Sequence, residues 1–74
     1  MAKSINADRY TYSIMWSEMD GEFVGLCREF PTLSWLDKNP DKAFKGIRNV
    51  VAEVIEDMQT KNETIPEPLG VSAK

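Results

Sequence analysis

Apolar and polar side chains alternate along Tyr10-Thr11-Tyr12-Ser13-Ile14-Met15-Trp16-Ser17. A period of two in aromatic and β-branched residues predicts a strand. Glu18-Met19-Asp20-Gly21 follows, and its Asp-Gly pair predicts a turn, because glycine accepts positive φ. Glu22-Phe23-Val24-Gly25-Leu26-Cys27-Arg28 predicts a second strand, and the two should form a hairpin. With residues 18 to 21 as the loop, Ser17 faces Glu22, Trp16 faces Phe23, Ile14 faces Gly25 and Tyr12 faces Cys27. Opposed residues of an antiparallel pair point to the same side. Tyr12, Ile14, Trp16, Phe23 and Cys27 then share one face. Thr11, Ser13, Met15, Val24 and Leu26 share the other. The first set is bulkier and is expected to face the core. Gly25 leaves room opposite Ile14 for a closely packed helix.

Glu29-Phe30-Pro31-Thr32 ends the second strand, since proline has no N–H for a ladder. Leu33-Ser34-Trp35-Leu36 predicts a short third strand. Asn39-Pro40 predicts a helix start, with Asn39 as N-cap, Pro40 at the first helical position and Asp41 suiting the helix dipole. Ala43, Phe44, Ile47, Val50, Val51, Val54, Ile55 and Met58 recur at the spacing of one amphipathic face and predict a helix over 40–61. Asn62 suits a left-handed C-terminal position. Ile65-Pro66-Glu67-Pro68-Leu69 should be extended and could serve as an edge strand. The expected fold class is α+β in the order β-β-β-α-β, a small antiparallel sheet with one long amphipathic helix packed on one face. Residues 1–9 are expected to be a flexible N-terminus, 10–69 a single domain and 70–74 a tail, with no DNA-binding domain.

Seventy-four residues suffice for one domain. A chain of this size buries only about 60% of the surface it exposes when unfolded, so self-association or a partner is expected. Nine basic and twelve acidic residues give a net charge of -3. That balance does not favour direct nucleic-acid binding, which needs clustered Lys and Arg, and it suits a basic protein partner. With no histidine in the chain, mechanisms built on a His base, a His zinc ligand or a Ser-His-Asp triad are excluded. One cysteine, Cys27, permits no intramolecular disulfide, which points to a reducing, cytoplasmic setting. No signal-peptide pattern or membrane-length apolar run is present.

Few residues suggest chemistry. Cys27 has no histidine to activate it and lies on the expected core face, where cysteine packs as a small hydrophobe. Glu53, Glu56 and Asp57 share one side of the helix. Hard cations need several convergent oxygens, so an acidic docking patch is favoured there over a metal site. Lys42, Lys45 and Arg48 lack the interleaved aromatics of a nucleic-acid site. Trp16 and Phe23 read as core, whereas Phe30 and Trp35 lie near a loop and could be exposed. Met15, Val24 and Leu26 occupy the face that one helix cannot cover, so they are expected to mediate homo-oligomerisation.

Tyr12 to Trp16, Asp20-Gly21-Glu22-Phe23-Val24, Glu29-Phe30-Pro31 and Leu33-Ser34-Trp35-Leu36 together resemble the N-terminal domain of HicB-like antitoxins. The resemblance continues through Pro40-Asp41-Lys42-Ala43, Gly46-Ile47, Val51-Ala52-Glu53-Val54 and Ile65-Pro66-Glu67-Pro68-Leu69. Arg28, Thr32, Lys42 and Asn62 depart from the residues usual in that family. The resemblance implies a truncated RNase H-like fold in which the strand after the helix lies beside the first. It also implies a cytoplasmic antitoxin that neutralises a small basic HicA-type mRNA-cleaving toxin by masking its active site. An alternative is a stand-alone protein-interaction module of the same fold with no cognate toxin. Neither is an enzyme, needs a cofactor or metal, or binds a membrane. A surface for a basic toxin should be acidic and aromatic, so the expected interface is Asp20, Glu22, Glu29, Phe30, Trp35, Glu53, Glu56 and Asp57.

Overall fold

A computed structural model describes residues 6–69. It contains a three-stranded antiparallel sheet and one helix. The strands are β1 (Tyr12–Ser17), β2 (Glu22–Cys27) and β3 (Ser34–Asp37), ordered β1-β2-β3. The helix α1 spans Pro40–Thr60. The register of the hairpin is the expected one, from Ser17 opposite Glu22 to Tyr12 opposite Cys27. Gly21 supplies the positive φ, 64°, that closes the loop. The first two strands are shorter than expected: residues 10 and 11 precede β1, and Arg28 opens the turn after β2. The third lies one residue later than expected, including Asp37 and omitting Leu33.

Both ends of α1 are capped as the sequence predicts. The Asn39 side chain accepts from the N–H groups of Asp41 at 2.8 Å and Lys42 at 3.2 Å. Asn62 takes φ 58°, with Glu63 N–H donating to the Met58 carbonyl and Asn62 N–H to the Gln59 carbonyl. This pair of bonds is a Schellman motif built on asparagine rather than glycine.

Gly25 sets the layer spacing. A Cβ there would lie 2.7 Å from the Ala43 carbonyl oxygen and 2.8 Å from Ile47 Cγ2, so α1 rests directly on β2. Gly46 performs the reciprocal service on the helix, where the Trp35 indole occupies the space a Cβ would need. The two contacts place the helix on the face that carries Tyr12, Ile14, Trp16, Phe23, Cys27 and Trp35. By alternation, Met15, Val24, Leu26 and Leu36 lie on the other. The core gathers Tyr10, Cys27, Phe30, Ile47, Val51 and Ile55, with Ala7 closing one side.

Two expectations need correction. Residues 63–69 form no strand, so the order among the described residues is β-β-β-α rather than β-β-β-α-β. Pro66 and Pro68 have no N–H, so at most one side of the segment could pair. Side chains hold the segment instead: Tyr10 Oη donates to the Pro66 carbonyl at 2.5 Å, and Leu69 N–H donates to Glu29 Oε2 at 2.6 Å. Residues 7–9, expected to be loose, form a 3-10 turn. The Asn6 side chain caps it by accepting from Asp8 N–H, and Asp8 pairs with Arg48 of α1. That pair gives the basic first half of the helix one complementary charge. The expectations for residues 1–5 and 70–74 fall outside the described residues.

Candidate interaction surface at the hairpin end

α1 packs its second half against the end of the sheet that carries Tyr10, Cys27 and Phe30. The hairpin end therefore projects past the buried core. Trp16 lies on the helix side of the sheet, yet it is 50% exposed and stacks edge-on against Phe23 with ring centroids 5.0 Å apart. Its indole N–H donates to Glu18 Oε1 at 2.8 Å. Met19, at the tip of the loop, is 97% exposed. Ser17 Oγ donates to Asp20 Oδ2 at 2.8 Å and accepts from Asp20 N–H, which fixes the Asp20 carboxylate on the turn. Glu22 begins β2 beside it, and Asp37 lies opposite Phe23 on β3. Residues 10–27 contain Glu18, Asp20 and Glu22 and no Lys or Arg. This end of the sheet is acidic, with exposed apolar side chains among the carboxylates.

The expected interface residues separate into three groups. Asp20, Glu22 and Trp35 belong to the hairpin end and its adjoining strand; Trp35 is 43% exposed where it leans on Gly46. Glu53, Glu56 and Asp57 are exposed on the second half of α1, and Asp57 pairs with Lys61 at 3.2 Å. Glu53 lies thirteen residues after Pro40, about 20 Å along the helix at 1.5 Å per residue, so the two acidic groups are not one patch.

Glu29 and Phe30 form the third group and are turned inward, which corrects their expected place at an interface. Phe30 is 8% exposed and packs on Tyr10 with centroids 5.6 Å apart. Glu29 is equally buried because its carboxylate organises the chain around it. It accepts from Thr11 N–H at 3.0 Å, Thr11 Oγ1 at 2.9 Å, Leu69 N–H at 2.6 Å and Cys27 Sγ at 3.4 Å. Burial alone would push the Glu29 carboxyl up, but the N–H groups of Leu69 and Thr11 outweigh it and hold the group at about 2. The Cys27 thiol is pushed up, mainly by burial, which leaves it protonated and inert.

Met15 is 53% and Leu36 41% exposed on the face opposite α1, with Val24 and Leu26 half-buried between them. A shallow groove of about 380 Å³, lined by residues including Thr11, Ser13, Leu26 and Pro31, continues this patch. Among the described residues no three His, Cys, Asp or Glu side chains are grouped to hold a metal ion. No described helix is long and apolar enough to cross a membrane. No protein-family model, curated protein or solved structure matches the chain.

Glu18, Met19 and the exposure of Trp16 were missed by sequence reasoning. Alternation assigns Trp16 to a face, but it does not say how far the helix reaches along that face. Met19 did carry a signal: an apolar residue in a four-residue turn has no core to enter.

Proposed function

We propose that this protein is a HicB-like antitoxin of truncated RNase H-like fold, acting in the cytoplasm without enzymatic activity. It binds a small basic HicA-type mRNA-cleaving toxin and masks the toxin's active site. The observation that carries the reading is the acidic, apolar-tipped hairpin end. Trp16 and Met19 offer apolar contact, Glu18, Asp20 and Glu22 surround them, and no cation intervenes between residues 10 and 27. A toxin that grips mRNA must present cations, and an acidic rim speeds encounter with it while exposed aromatics slow release. Trp35 belongs to this contact. The helix carboxylates Glu53, Glu56 and Asp57 are a secondary docking patch. Self-association through the face of Met15, Val24 and Leu26 is part of the same reading.

The test uses the product of a short basic reading frame adjacent to the gene. Binding kinetics are measured for Asp20→Lys, Glu22→Lys, Trp16→Ala, Trp35→Ala and Glu53→Lys at two salt concentrations, alongside inhibition of RNA cleavage. The charge reversals at the hairpin should slow association and flatten its salt dependence, and the tryptophan truncations should speed dissociation. If all the folded variants bind and inhibit like the parent, the hairpin end is not the contact. If no adjacent toxin exists, the antitoxin reading falls and the stand-alone interaction module takes its place.

A further inference from the structure

β1 is an edge strand of unusual character. Arg28 N–H donates to the Thr11 carbonyl at 2.9 Å, and Gly21 N–H donates to the Ser17 carbonyl at 2.9 Å. Residues 11, 13, 15 and 17 therefore direct their backbone groups at β2, and by alternation Tyr12, Ile14 and Trp16 direct theirs outward. Among the described residues those three N–H and three C=O groups have no partner. Exposed edges usually carry charge, proline or a bulge that discourages pairing. β1, Tyr-Ser-Ile-Met-Trp-Ser, carries none of these. The other edge, β3, is four residues long, ends in Asp37 and runs into Lys38-Asn39-Pro40.

We propose that β1 pairs with β1 of a second copy, antiparallel about a twofold axis through Ile14, to form a continuous six-stranded sheet. This deepens the self-association reading and rests on it only in requiring two copies. The outward groups fix the register. Ile14 exchanges both hydrogen bonds with Ile14 of the second copy, and Tyr12 does so with Trp16, giving six bonds in all. On the helix side Trp16 then lies opposite Tyr12 of the second copy, an aromatic cross-strand pair. On the open side Met15 sits opposite Ser13, which joins the two apolar patches into one. The strand is neutral, so no like charges meet across the axis, as they would if position 14 were ionised. The two hairpin tips point away from each other, so Glu18, Met19, Asp20 and Glu22 stay exposed in the dimer.

Cross-linking by position tests the register. Ser13 and Met15 are exposed and point away from α1, so Ser13→Cys and Met15→Cys should fold. The native Cys27 is 2% exposed and does not compete. In the proposed register positions 13 and 15 are directly opposed at about 4.5 Å between Cα atoms, within disulfide range. Each position and its own copy are offset by two residues, about 7 Å along the strand before the separation between strands is added, which is too far. Mild oxidation of an equimolar mixture should therefore give a disulfide dimer in several-fold excess over either variant alone. Ser17→Cys mixed with Met15→Cys should give none. As a second measurement, amide exchange at Tyr12, Ile14 and Trp16 should slow as protein concentration rises through the association range. A protein that dimerises by light scattering but cross-links without positional preference overturns the β1 pairing and leaves self-association intact. A strict monomer by light scattering, up to the highest concentration at which the protein stays in solution, overturns both.

Discussion

Glu29→Gln should destabilise the protein by about 2 to 3 kcal/mol at neutral pH, and the deficit should disappear in acid. The carboxylate uses both oxygens: Leu69 N–H and Thr11 Oγ1 reach Oε2, and Thr11 N–H and Cys27 Sγ reach Oε1. A glutamine can keep its oxygen at the Oε2 position, where Thr11 N–H also reaches at 3.2 Å, but its NH₂ then meets the shorter arm of that N–H and the Cys27 thiol, donor against donor. Hydrogen bonds to a charged acceptor contribute about 1.5–3 kcal/mol against about 1 for neutral ones, so weakening the two to Oε2 by about 0.5–1 kcal/mol each and disturbing the two at Oε1 costs at least about 2 kcal/mol. An independent bound agrees. The carboxyl sits at about 2 instead of its ordinary 4.5, and at 1.36 kcal/mol for each pH unit the gap is at most about 3 kcal/mol. The folded value lies below the unfolded one, so this stability is fully present above pH 4.5. It is lost as pH falls from 4.5 towards 2. Thermal unfolding of parent and variant at equal concentration, at pH 7, 5 and 3, is the assay. The variant should melt roughly 10–20 °C lower at pH 7. The gap should narrow below pH 4.5, where a protonated Glu29 resembles glutamine. Equal melting at pH 7, or a gap that stays constant down to pH 3, would refute the assignment of Glu29 as the organising anion.

Gly25→Ala should cost about 1–3 kcal/mol in urea denaturation, because the new methyl meets the Ala43 carbonyl and Ile47 at under 3 Å; an unchanged midpoint would mean the helix does not rest there. Asn39→Ala should lose about 1 kcal/mol of stability by the same assay, with Asn39→Ser restoring most of it, since the cap needs only a side-chain oxygen near Asp41 and Lys42. Alkylation of Cys27 in the folded protein should be slower than in urea by on the order of 100-fold, since the thiol is buried and pushed up; comparable rates would place Cys27 at an accessible surface.

Local rules made the hairpin, its register and both helix caps readable. Asp-Gly accepts one loop geometry, period two fixes the faces, and Asn39-Pro40 and Asn62 mark the ends of α1 within one residue. Gly25 was also legible, because a glycine amid bulky strand residues has few uses apart from close approach. What stayed hidden depends on contacts distant in sequence. Glu29 sits in a loop beside two exposed-looking neighbours, Pro31 and Thr32, and nothing local says that Thr11 and Leu69, 18 and 40 residues away, bring their N–H groups to it. Phe30 followed Glu29 inward for the same reason. The acidic surface was half legible: the charges could be counted, but which of them end up together depends on where α1 stops covering the sheet.

The C-terminal segment links these observations. The two prolines favour extended backbone in residues 65–69, and pairing with β1 would have closed the edge of the sheet. Pro66 and Pro68 leave N–H groups at Ile65, Glu67 and Leu69, which alternate to one side and would suffice for an edge strand, so it is the side-chain anchors rather than the prolines that set where the segment lies. Tyr10 and Glu29 hold the segment by its Pro66 carbonyl and Leu69 N–H, at the end of the sheet where the core already lies. That arrangement completes the core without using β1, and it explains why Glu29 is buried while Trp16 is not. Stabilising chemistry is thus concentrated at the Tyr10 end of the sheet. Among the described residues the outer groups of β1 have no backbone partner and the hairpin tip is exposed, and the proposed contacts with other chains would use them. Glu29→Gln and the Ser13→Cys/Met15→Cys pair should therefore behave independently: the first lowers stability without moving the cross-linking position, and the second reports pairing without altering the acid transition.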